Sequence, residues 1–566
     1  MEKDLKEYII KELKKATKLK EINLEVPPSS NFGDYAFPCY PLAKTLKKNP
    51  NDIAIDLSKK IEQNDVIQKI ETNGPYINFF VNKSAFSKAI LSKIFKEKEA
   101  YGISKIGKKE KVMVEYSSPN TNKPLHLGHL RNDSIGMAIS NILSFTDHDV
   151  TKSILYSNRG IHICKSMLAY QHYGKNKKPT ATIKPDHFVG NFYIMYEKKK
   201  TKKLEAELGE MLRKWEAGDK KTRALWKKMD AWAVKGFKET YQKFGSEFDV
   251  EFRESDFYNK AKPIIKQGLR KNIFIKDEEE NRIIANLEEH GLPDKTILRG
   301  DQTSIYITND LALTKHKFEK YKLDSSIWVV GSEQNLYFQQ LFKILELLGF
   351  SWSKKCHHMS YGMVYLPEGK MKSREGIVID ADDIIKNMIS LSKKEIKKRY
   401  KKISKKELEE RAEKIGIGAL KFFLLKTDTR KDIHFNPEES LSFEGETGPY
   451  VQYVYARISS LIEKSKLEVK DTINYMFFDE EAELALIKLL GKYPKVLENA
   501  ATNYKPYLLA RYLLELAQKF NEFYQYCPIL KSKEHLMQAR LLLAYCVKEI
   551  IGSGLKLLGI DVLEEM

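Results

Sequence analysis

The feature that most constrains the fold is a strand, a polar loop and a helix in direct succession. The apolar run KVMVEY (111–116) is followed by a Ser/Pro/Asn-rich loop and then by apolar residues at helical spacing. This order is typical of the βα unit of a nucleotide-binding sheet. Further strand candidates are VTKSILY, TSIYIT, SSIWVVG and MSYGMVYL, with helical stretches between them. The pattern predicts a doubly wound parallel sheet.

The chain has 566 residues, enough for about three to four domains. Residues 1–105 begin with a helix that carries Leu5, Ile9 and Leu13 on one face and continue with strand-like stretches, which predicts a small α+β domain. The other predicted segments are a parallel-sheet domain at 106–380 with a helical insertion at about 180–300, a helical region at 381–435, and a helical domain at 436–566 with helices at 437–465, 479–499, 505–527 and 533–558. The predicted fold class is thus multidomain α/β with an all-α C-terminal bundle.

The charge of the chain favours a polyanionic partner. Lys and Arg number 97 against 77 Asp and Glu, a formal net charge of +20. Genome coding bias produces the same excess, so charge alone is weak evidence. The run KKEIKKRYKKISKKELEERAEKI is predicted to be a solvated surface helix, with contact to a phosphate backbone as the alternative.

Several classes of protein are disfavoured by what the sequence lacks. The five cysteines are scattered without a CxxC pair or a Cys/His cluster, so neither disulfides nor a zinc site is expected, and no metal ligands are predicted. The sequence has no apolar run of the roughly 18 to 20 residues that a membrane span needs, and it starts with an amphipathic helix rather than a signal peptide. A soluble, cytoplasmic protein with no membrane partner is expected.

The motif His126-Leu127-Gly128-His129 stands where the loop after the first strand turns into a helix. A helix N-terminus offers free backbone N–H groups and a partial positive charge, both of which favour a phosphate. Gly128 leaves room for a nucleotide to lie close, and the two imidazoles can donate hydrogen bonds to phosphate oxygens. The competing interpretation is a pair of structural histidines.

A lysine-rich loop, KMKSREG (370–376), follows a strand far downstream. Its ammonium groups and hydroxyl are suited to clamp the β- and γ-phosphates of a nucleotide while pyrophosphate departs. As an isolated match it is more simply an ordinary solvated loop. In this order, and after strands, HLGH and KMKSREG together indicate adenylyl transfer.

HLGH and KMKSR resemble the HIGH and KMSKS signatures of class I aminoacyl-tRNA synthetases, and the surrounding blocks resemble those of arginyl-tRNA synthetases. The blocks are VEYSSPNTNKPLHLGHLRN, SNRGIHICKSMLAY, PDHFVGNFY, WEAGDKKTRALWKKM, GSEQ before LYFQQLF, and SFEGETGPYVQYVYAR. The resemblance covers essentially the whole chain. It implies a Rossmann-type catalytic domain, an N-terminal domain that contacts tRNA and a C-terminal anticodon-binding domain.

The implied reaction is the ATP-dependent ligation of L-arginine to tRNA(Arg) through an arginyl-adenylate, with release of AMP and pyrophosphate, by a monomer. Mg²⁺ is expected on the phosphates of ATP. No protein base is needed, because the arginine carboxylate is itself the nucleophile, so catalysis is positioning and charge stabilisation.

An arginine pocket needs carboxylates, because they accept the charge-assisted hydrogen bonds of a planar guanidinium. The resemblance assigns arginine binding to Glu115, Ser118, Asn120, His129, Tyr306, Asp310 and Gln334. The structural alternatives are an edge-strand charge for Glu115, a helix N-cap for Asp310 and a core aromatic for Tyr306. The ammonium of lysine lacks the planar set of donors of a guanidinium, so it would leave carboxylate acceptors in the pocket unsatisfied. Lysine would then be rejected at the binding step, and no large editing domain is required.

For ATP, the resemblance implies contacts from His126, Gly128, His129, Gly331, Glu333, Lys370, Lys372 and Ser373. His126, His129 and Lys370 would stabilise the transition state. The sequence departs from the family pattern because Ser373 stands where the second lysine of KMSKS is expected. Lys123, just upstream of HLGH, is predicted to compensate as a fourth catalytic residue, with Lys372 as the alternative.

For tRNA, the resemblance implies contacts from Asn31, Phe32, Tyr35 and Phe79 in the N-terminal domain and from Tyr450, Tyr453, Arg457 and Met566 in the bundle. Unpaired bases can stack on aromatic rings. Core packing is the alternative role for the N-terminal block. Two other functions remain open: another class I synthetase or small HxGH nucleotidyltransferase, and a non-catalytic tRNA-binding paralogue.

Overall fold

The computed structural model describes residues 2–19, 21–29, 32–63, 67–300, 305–366, 379–400 and 402–566. Four of the predicted site residues lie outside this part of the chain: Asn31, Lys370, Lys372 and Ser373. All five cysteines are described, and each is a buried free thiol. Among the described helices, none is both long and apolar enough to cross a lipid bilayer.

The N-terminal unit is the predicted α+β domain. Its elements are α1 (Glu2–Thr17), β1 (Tyr35–Pro38), α2 (Tyr40–Leu46), α3 (Pro50–Ser58), β2 (Ile67–Asn73), β3 (Tyr76–Val81) and α4 (Lys83–Glu97). The strands form an antiparallel sheet in the order β1-β3-β2. Ile9 and Leu13 of α1 are fully buried, as the helical spacing predicts. Strand β2 was not predicted, because five of its seven residues are polar or charged and most are exposed.

The catalytic unit is built on five parallel strands in the order β11-β10-β4-β5-β6. The elements of this unit are β4 (Lys111–Glu115), α5 (Leu127–Phe145), β5 (Asp149–Tyr156), α6 (Ile161–Tyr173), α7 (Pro185–Lys198), α8 (Lys202–Glu216), α9 (Lys220–Phe244), β6 (Val250–Arg253), α10 (Lys262–Arg270), β7 (Phe274–Asp277), β8 (Arg282–Ala285), β9 (Lys295–Leu298), α11 (Tyr306–Tyr321), β10 (Ser325–Gly331), α12 (Asn335–Leu347) and β11 (Cys356–Tyr361). The predicted Rossmann-type parallel sheet is confirmed.

Two secondary-structure predictions in this unit are wrong. The segment 180–300 is helical only as far as Phe244: it then supplies β6 to the central sheet and forms a separate antiparallel sheet, β7-β8-β9. These strands have four residues each, too few for an alternating pattern to stand out. The stretch TSIYIT is not a strand in its described part, because Tyr306 begins α11; here helical packing overrides the strand preference of Ile and Tyr.

The C-terminal part is helical, as predicted. Its elements are β12 (Val364–Tyr365), α13 (Ala381–Arg399), α14 (Lys405–Leu425), β13 (Ile433–His434), α15 (Pro437–Ser440), α16 (Gly448–Ser465), α17 (Glu481–Thr502), α18 (Tyr507–Tyr526) and α19 (Glu534–Leu557). The four long helices α16 to α19 correspond to the four predicted ones, except that the first begins at Gly448 rather than at 437, because the short α15 and a non-helical stretch precede it. The charged run is not one solvated helix: it divides between α13 and α14, where Ser404 caps α14 and both helices bury an apolar face against each other.

The N-terminal unit and the C-terminal bundle contact each other. Helix α4 packs against α17 and α19, and Lys488 Nζ lies 2.5 Å from Asp34 Oδ1. The catalytic unit contacts the bundle as well, since α5 packs against α14 and α17. The helix that begins with HLGH therefore lies between the central sheet and the bundle.

Candidate active site at the carboxyl ends of the parallel strands

The HLGH motif forms the N-terminus of α5. His126 is the N-cap residue in extended backbone, and its N–H donates to His129 Nδ1 at 3.1 Å. The two ring centroids are 3.8 Å apart. A Cβ on Gly128 would lie 3.0 Å from atoms of the His126 ring, so glycine lets this ring pack against the first helical turn. The first-turn amide groups and both imidazoles are thus gathered at one helix end.

Both histidines are held neutral at physiological pH. Burial lowers the pKa of His126 to about 4 and the pKa of His129 well below its ordinary value, and the nearby Lys123 charge acts in the same direction. Because the His126 amide donates to His129 Nδ1, the proton of the neutral His129 ring is on Nε2. His129 can therefore donate a hydrogen bond from Nε2 without carrying a charge.

Lys123 lies directly upstream and is partly buried, which lowers its pKa. The next residue, Pro124, packs against Gly190 of α7, where a Cβ would lie 2.7 Å from the proline Cδ. This contact fixes the loop that carries Lys123 beside HLGH. The structure thus places Lys123 near His126, and its compensating role stays a prediction.

The described residues on both sides of the lysine-rich loop contact the start of α5. After the loop, Leu127 N donates to Ile379 O at 2.9 Å and Ala381 N donates to Leu125 O at 3.0 Å. Before the loop, the backbone is held by Arg131 of α5. The chain therefore enters and leaves the loop close to HLGH, although Lys370, Lys372 and Ser373 themselves lie outside the described residues.

Arg131 is fully buried, and its guanidinium donates to four backbone carbonyls. The acceptors are Gly362 O at 2.5 Å, Met363 O at 3.1 Å, Thr429 O at 3.0 Å and Lys431 O at 2.8 Å. Burial lowers its pKa to about 10. Arg131 thereby ties the segment that precedes the loop to the helix that begins with HLGH.

Three carboxylates come together beyond the ends of β4 and β6. Glu115, the last residue of β4, is buried and hydrogen-bonded to the ammonium of Lys317. Asp310 on α11 accepts a hydrogen bond from the Tyr337 hydroxyl. The net pKa of Asp310 is raised to about 6: partial burial raises it most, the Tyr337 hydrogen bond lowers it, the Glu115 charge raises it and the Lys317 charge lowers it. Asp310 is thus a half-buried carboxyl whose partners do not fully offset the cost of its charge.

Glu254 is the third carboxylate, and it is not among the site residues predicted from the sequence. It follows β6 directly and accepts a hydrogen bond from Asn309 Nδ2 at 2.9 Å, while its Oε2 has no hydrogen-bond partner among the described residues. Burial raises its pKa to about 7, Arg159 opposes the shift and Asp310 adds to it. The available signal was an acidic residue at the carboxyl end of a parallel strand, but the strand itself was assigned to a helical insertion.

The structure excludes the alternative roles of the predicted pocket residues. Glu115 lies on a central strand rather than an edge strand, and Asp310 stands four positions inside α11 rather than at its N-cap, Ile305. Tyr306 is 51% exposed, so it is not a core aromatic. Partial burial raises the pKa of its hydroxyl most, and the negative charge of Glu254 adds to the shift.

The predicted contacts for the amino and carboxyl groups of the substrate lie on two loops. Ser118 and Asn120 follow β4: Ser118 has φ +45° and its hydroxyl accepts from Leu155 N at 3.4 Å, while Asn120 pairs with Ser157. Ser117, the residue before Ser118, also has a positive φ. Two consecutive left-handed non-glycine residues are strained, a feature that clusters at functional sites.

The loop after β10 carries the other predicted residues. Gly331 ends the strand, and Glu333 and Gln334 form an exposed 3₁₀ turn. A Cβ on Gly331 would lie 2.4 Å from a carboxylate oxygen of Glu333, so the Glu333 side chain lies directly against this strand end. In the register of the sheet, Trp328 of β10 faces Glu115 of β4, which places this loop at the same edge as the carboxylates.

The predicted tRNA-binding residues divide by exposure. In the N-terminal unit Phe32 is 44% exposed, but Tyr35 and Phe79 are 6% and 0% exposed. This burial contradicts base stacking on Tyr35 and Phe79, because both rings are part of the core of the sheet; core packing, the alternative, holds for them. In the bundle, Tyr453, Arg457 and Met566 line one cavity of about 660 Å³.

Two more contacts organise this bundle surface. Asn521 Nδ2 donates to the Tyr450 hydroxyl at 2.8 Å, and Arg457 Nη1 donates to Asn521 Oδ1 at 3.3 Å. The Arg457 guanidinium lies 4.1 Å from the centroid of the Tyr524 ring. The structure therefore brings all four predicted bundle residues to one region.

One cluster of potential metal ligands is present among the described residues: Asp186, His187 and Asp382. Lys184 Nζ lies 2.7 Å from Asp382 Oδ2 and 3.3 Å from Asp186 Oδ2. The ammonium already compensates these carboxylates, so the cluster is an internal ion network rather than a good cation site.

The comparison with protein families and known proteins agrees with this geometry. The family model described as "tRNA synthetases class I (R), catalytic domain" matches residues 90–436, the "Arginyl tRNA synthetase N terminal domain" matches residues 3–81, and the "DALR anticodon binding domain" matches residues 451–566. The parallel sheet with HLGH at its carboxyl edge is thus that of a class I aminoacyl-tRNA synthetase.

Curated relatives give the same result over the full length. The arginine–tRNA ligase of Treponema denticola is 42% identical, covering 96% of this chain and 95% of its own, and that of Borrelia hermsii is 40% identical, covering 100% and 99%. The solved arginyl-tRNA synthetase of Thermus thermophilus superposes with a TM-score of 0.82 at 25% identity over 99% of this chain and 100% of its own. The chain belongs to the arginyl-tRNA synthetase (arginine–tRNA ligase) family.

Proposed function

We propose that the chain ligates L-arginine to tRNA(Arg) in two steps. The arginine carboxylate attacks the α-phosphorus of ATP to give arginyl-adenylate and pyrophosphate, and the 2′-hydroxyl of the terminal adenosine of the tRNA then displaces AMP. The observation that carries the proposal is the placement of HLGH and a buried carboxylate cluster at the same edge of one parallel sheet. The first feature suits a nucleotide phosphate, the second a guanidinium.

The arginine side chain would be bound by Asp310, Glu115 and Glu254, with Tyr306 at the mouth of the pocket. A guanidinium donates hydrogen bonds in a fixed plane, and several carboxylates around it satisfy these donors while it compensates their charge. Ser118, Asn120, His129 and Gln334 would bind the α-amino and α-carboxyl groups. Rejection of lysine would follow from the acceptors that an ammonium leaves unpaired.

ATP would bind across the start of α5, with His126, Gly128 and His129 at the phosphates and Gly331 and Glu333 on the loop after β10. Lys370, Lys372 and Ser373 would contact the β- and γ-phosphates from the lysine-rich loop. Catalysis would consist of alignment of the carboxylate and hydrogen bonds to the charge that develops on the phosphate oxygens.

Mg²⁺ would enter with ATP and stay on its phosphates. The protein groups at the start of α5 are imidazole and ammonium donors, which are not Mg²⁺ ligands of the preferred oxygen type. The ion would therefore be held by phosphate oxygens and water, and no residue is assigned to it. Its contribution would be compensation of phosphate charge.

Lys123→Met is expected to lower kcat of arginine-dependent ATP–pyrophosphate exchange by roughly 10- to 100-fold, because it removes a cation from the phosphates at the position that compensates for Ser373. The KM for arginine should stay within about twofold. The measurement is exchange kinetics of Lys123→Met and Lys372→Met beside Lys519→Met, an exposed lysine of α18 paired with Glu522. A larger loss in Lys372→Met than in Lys123→Met would make Lys372 the compensating residue.

The kcat/KM for arginine is expected to rise as pH rises through about 6 and about 7, the pKa values of Asp310 and Glu254. Below these values the ligand-free carboxyls are protonated and have no charge for the guanidinium, which itself stays protonated throughout. Exchange assays between about pH 5 and 8.5 test this. A value of kcat/KM for arginine that stays constant or falls with rising pH would contradict this prediction. The kcat/KM for ATP serves as the control, because His126 is neutral throughout this pH range and adds no pH dependence.

tRNA would contact the chain at both ends. Phe32 and Asn31 are proposed for the N-terminal unit, where the ring of Phe32 is available for stacking. Tyr450, Tyr453, Arg457 and Met566 are proposed for the anticodon side of the bundle. Action as a monomer and a cytoplasmic location are proposed from the family resemblance, and light scattering of the purified protein tests the monomer.

The deciding experiment is ATP–pyrophosphate exchange with each of the twenty amino acids, with and without total tRNA. Exchange with arginine only is the expected result, and exchange that also requires tRNA would show that tRNA completes the site. Exchange with another amino acid would overturn the pocket assignment in favour of a different class I specificity. No exchange under any condition would favour a binding-only paralogue.

A further inference from the structure

Lys317 is a buried cation inside the proposed arginine pocket. It is 0% exposed, and its ammonium donates to Oε2 of Glu115. The same ammonium lies 5.3 Å from the Phe252 ring centroid and 5.0 Å from the Trp328 ring centroid. Burying the charge of a lysine costs free energy unless the charge is paired. Lys317 at this position therefore depends on its ion pair with Glu115.

Helix geometry places Lys317 on the side of α11 that faces the pocket. Lys317 and Asp310 are seven residues apart, which is about two helical turns, so both side chains project from the same face. Glu115 reaches this face from β4. The three groups interact, because Glu115 raises and Lys317 lowers the pKa of Asp310.

We propose that Lys317 is a positioning residue for arginine recognition: it holds Glu115 by one oxygen, leaves the other for the substrate, and cancels one of the two charges of Glu115 and Asp310. The inference rests on the proposed function. With Lys317 in place, Glu115 and Asp310 carry one net negative charge rather than two, so a single guanidinium has less carboxylate charge to compensate. Without it, two close carboxylates repel each other and Glu115 loses its fixed orientation.

A purely structural role is the alternative, since an internal ion pair also affects folding. The two roles differ in the behaviour of a variant that lacks both partners. Replacing both members of a buried ion pair by neutral groups is often tolerated by the fold, whereas removing one leaves a buried unpaired charge. Stability should therefore recover in the double variant Glu115→Gln/Lys317→Met, but arginine affinity should not.

The experiment compares Lys317→Met, Lys317→Arg and the double variant in ATP–pyrophosphate exchange, with thermal unfolding measured in parallel. Lys317→Met is expected to raise the KM for arginine by roughly 30-fold or more while the KM for ATP stays within about twofold. Lys317→Arg keeps a cation against Glu115 and should restore most of the affinity. The double variant should unfold near the parent temperature and keep the raised KM for arginine.

Lys421→Met is the matched control. Lys421 is also buried, and its ammonium donates to Gly559 O at 2.6 Å, at the contact of α14 with the C-terminal segment. It should lower stability without changing the KM for arginine. The proposal is overturned if Lys317→Met leaves the KM for arginine unchanged, if the double variant restores it, or if Lys421→Met raises it equally. Absence of arginine-dependent exchange in the parent protein would instead refute the proposed function.

Discussion

Replacing Asp310 by asparagine is expected to lower kcat/KM for arginine by roughly 10³-fold and, in the same protein, to raise its stability. The loss follows from removing a carboxylate that would pair with the guanidinium. The gain follows from the cost of ionising a half-buried carboxyl: desolvation raises the pKa of Asp310 from its ordinary value of 3.8 to about 6, which corresponds to about 1–3 kcal/mol of unfolding free energy at neutral pH.

The pH dependence of this gain has a defined sign. A carboxyl with a raised pKa in the folded state binds its proton more tightly there than in the unfolded chain. Its ionisation therefore destabilises the fold as pH rises from about 3.8 to about 6, and the cost is constant above that. The difference in stability between the variant and the parent should accordingly be largest at neutral pH and vanish below about pH 4.

The measurements are denaturant unfolding at several pH values and exchange kinetics at saturating ATP. Asp186→Asn is a suitable control, because Asp186 is also a carboxyl whose pKa is raised by burial, but it lies on α7 in the separate ion network with Lys184. That variant should leave the KM for arginine unchanged. If Asp310→Asn keeps its arginine affinity, or loses stability at pH 7, the assignment of Asp310 to the pocket is wrong.

Replacing His129 by alanine is expected to lower kcat of the exchange reaction by roughly 10²- to 10³-fold, with KM for arginine changed by only a few fold. The proton on Nε2 of the neutral ring is the donor that would stabilise charge on the phosphate in the transition state. The substitution also removes the acceptor for the His126 amide, so the N-terminus of α5 loses the hydrogen bond that orders it.

Because the His129 ring is neutral, it also determines what is expected for the pH dependence of kcat. Burial holds the pKa of His129 well below its ordinary value. The pH profile of kcat in the parent protein should therefore show no step near pH 6.5 that is due to His129. His172→Ala is the control: this histidine is exposed on α6 and lies 2.6 Å from Glu207, and its loss should change neither kcat nor KM. A kcat in His129→Ala within about threefold of the parent would show that the imidazole makes no contact in the transition state.

The local elements of this protein follow from its sequence. The short apolar run of β4 and the helical spacing in α5 and in the four long helices of the bundle are set by neighbours along the chain, so the existence of these elements could be predicted. HLGH could be placed at a helix N-terminus for the same reason. The joint presence of HLGH and the lysine-rich loop indicated adenylyl transfer before any distance was known.

The tertiary structure decided which side chains meet and in what charge state. Glu254 lies in the pocket because β6 pairs with β5 in the central sheet, although the sequence of β6 shows no periodic pattern of apolar residues. Lys317 and Glu115 are far apart in the sequence and form an ion pair only in the folded chain. Phe79 is core rather than surface because β3 is the central strand of its sheet. Periodicity is a local property, but burial, partners and pKa depend on distances through space, which only the folded chain sets.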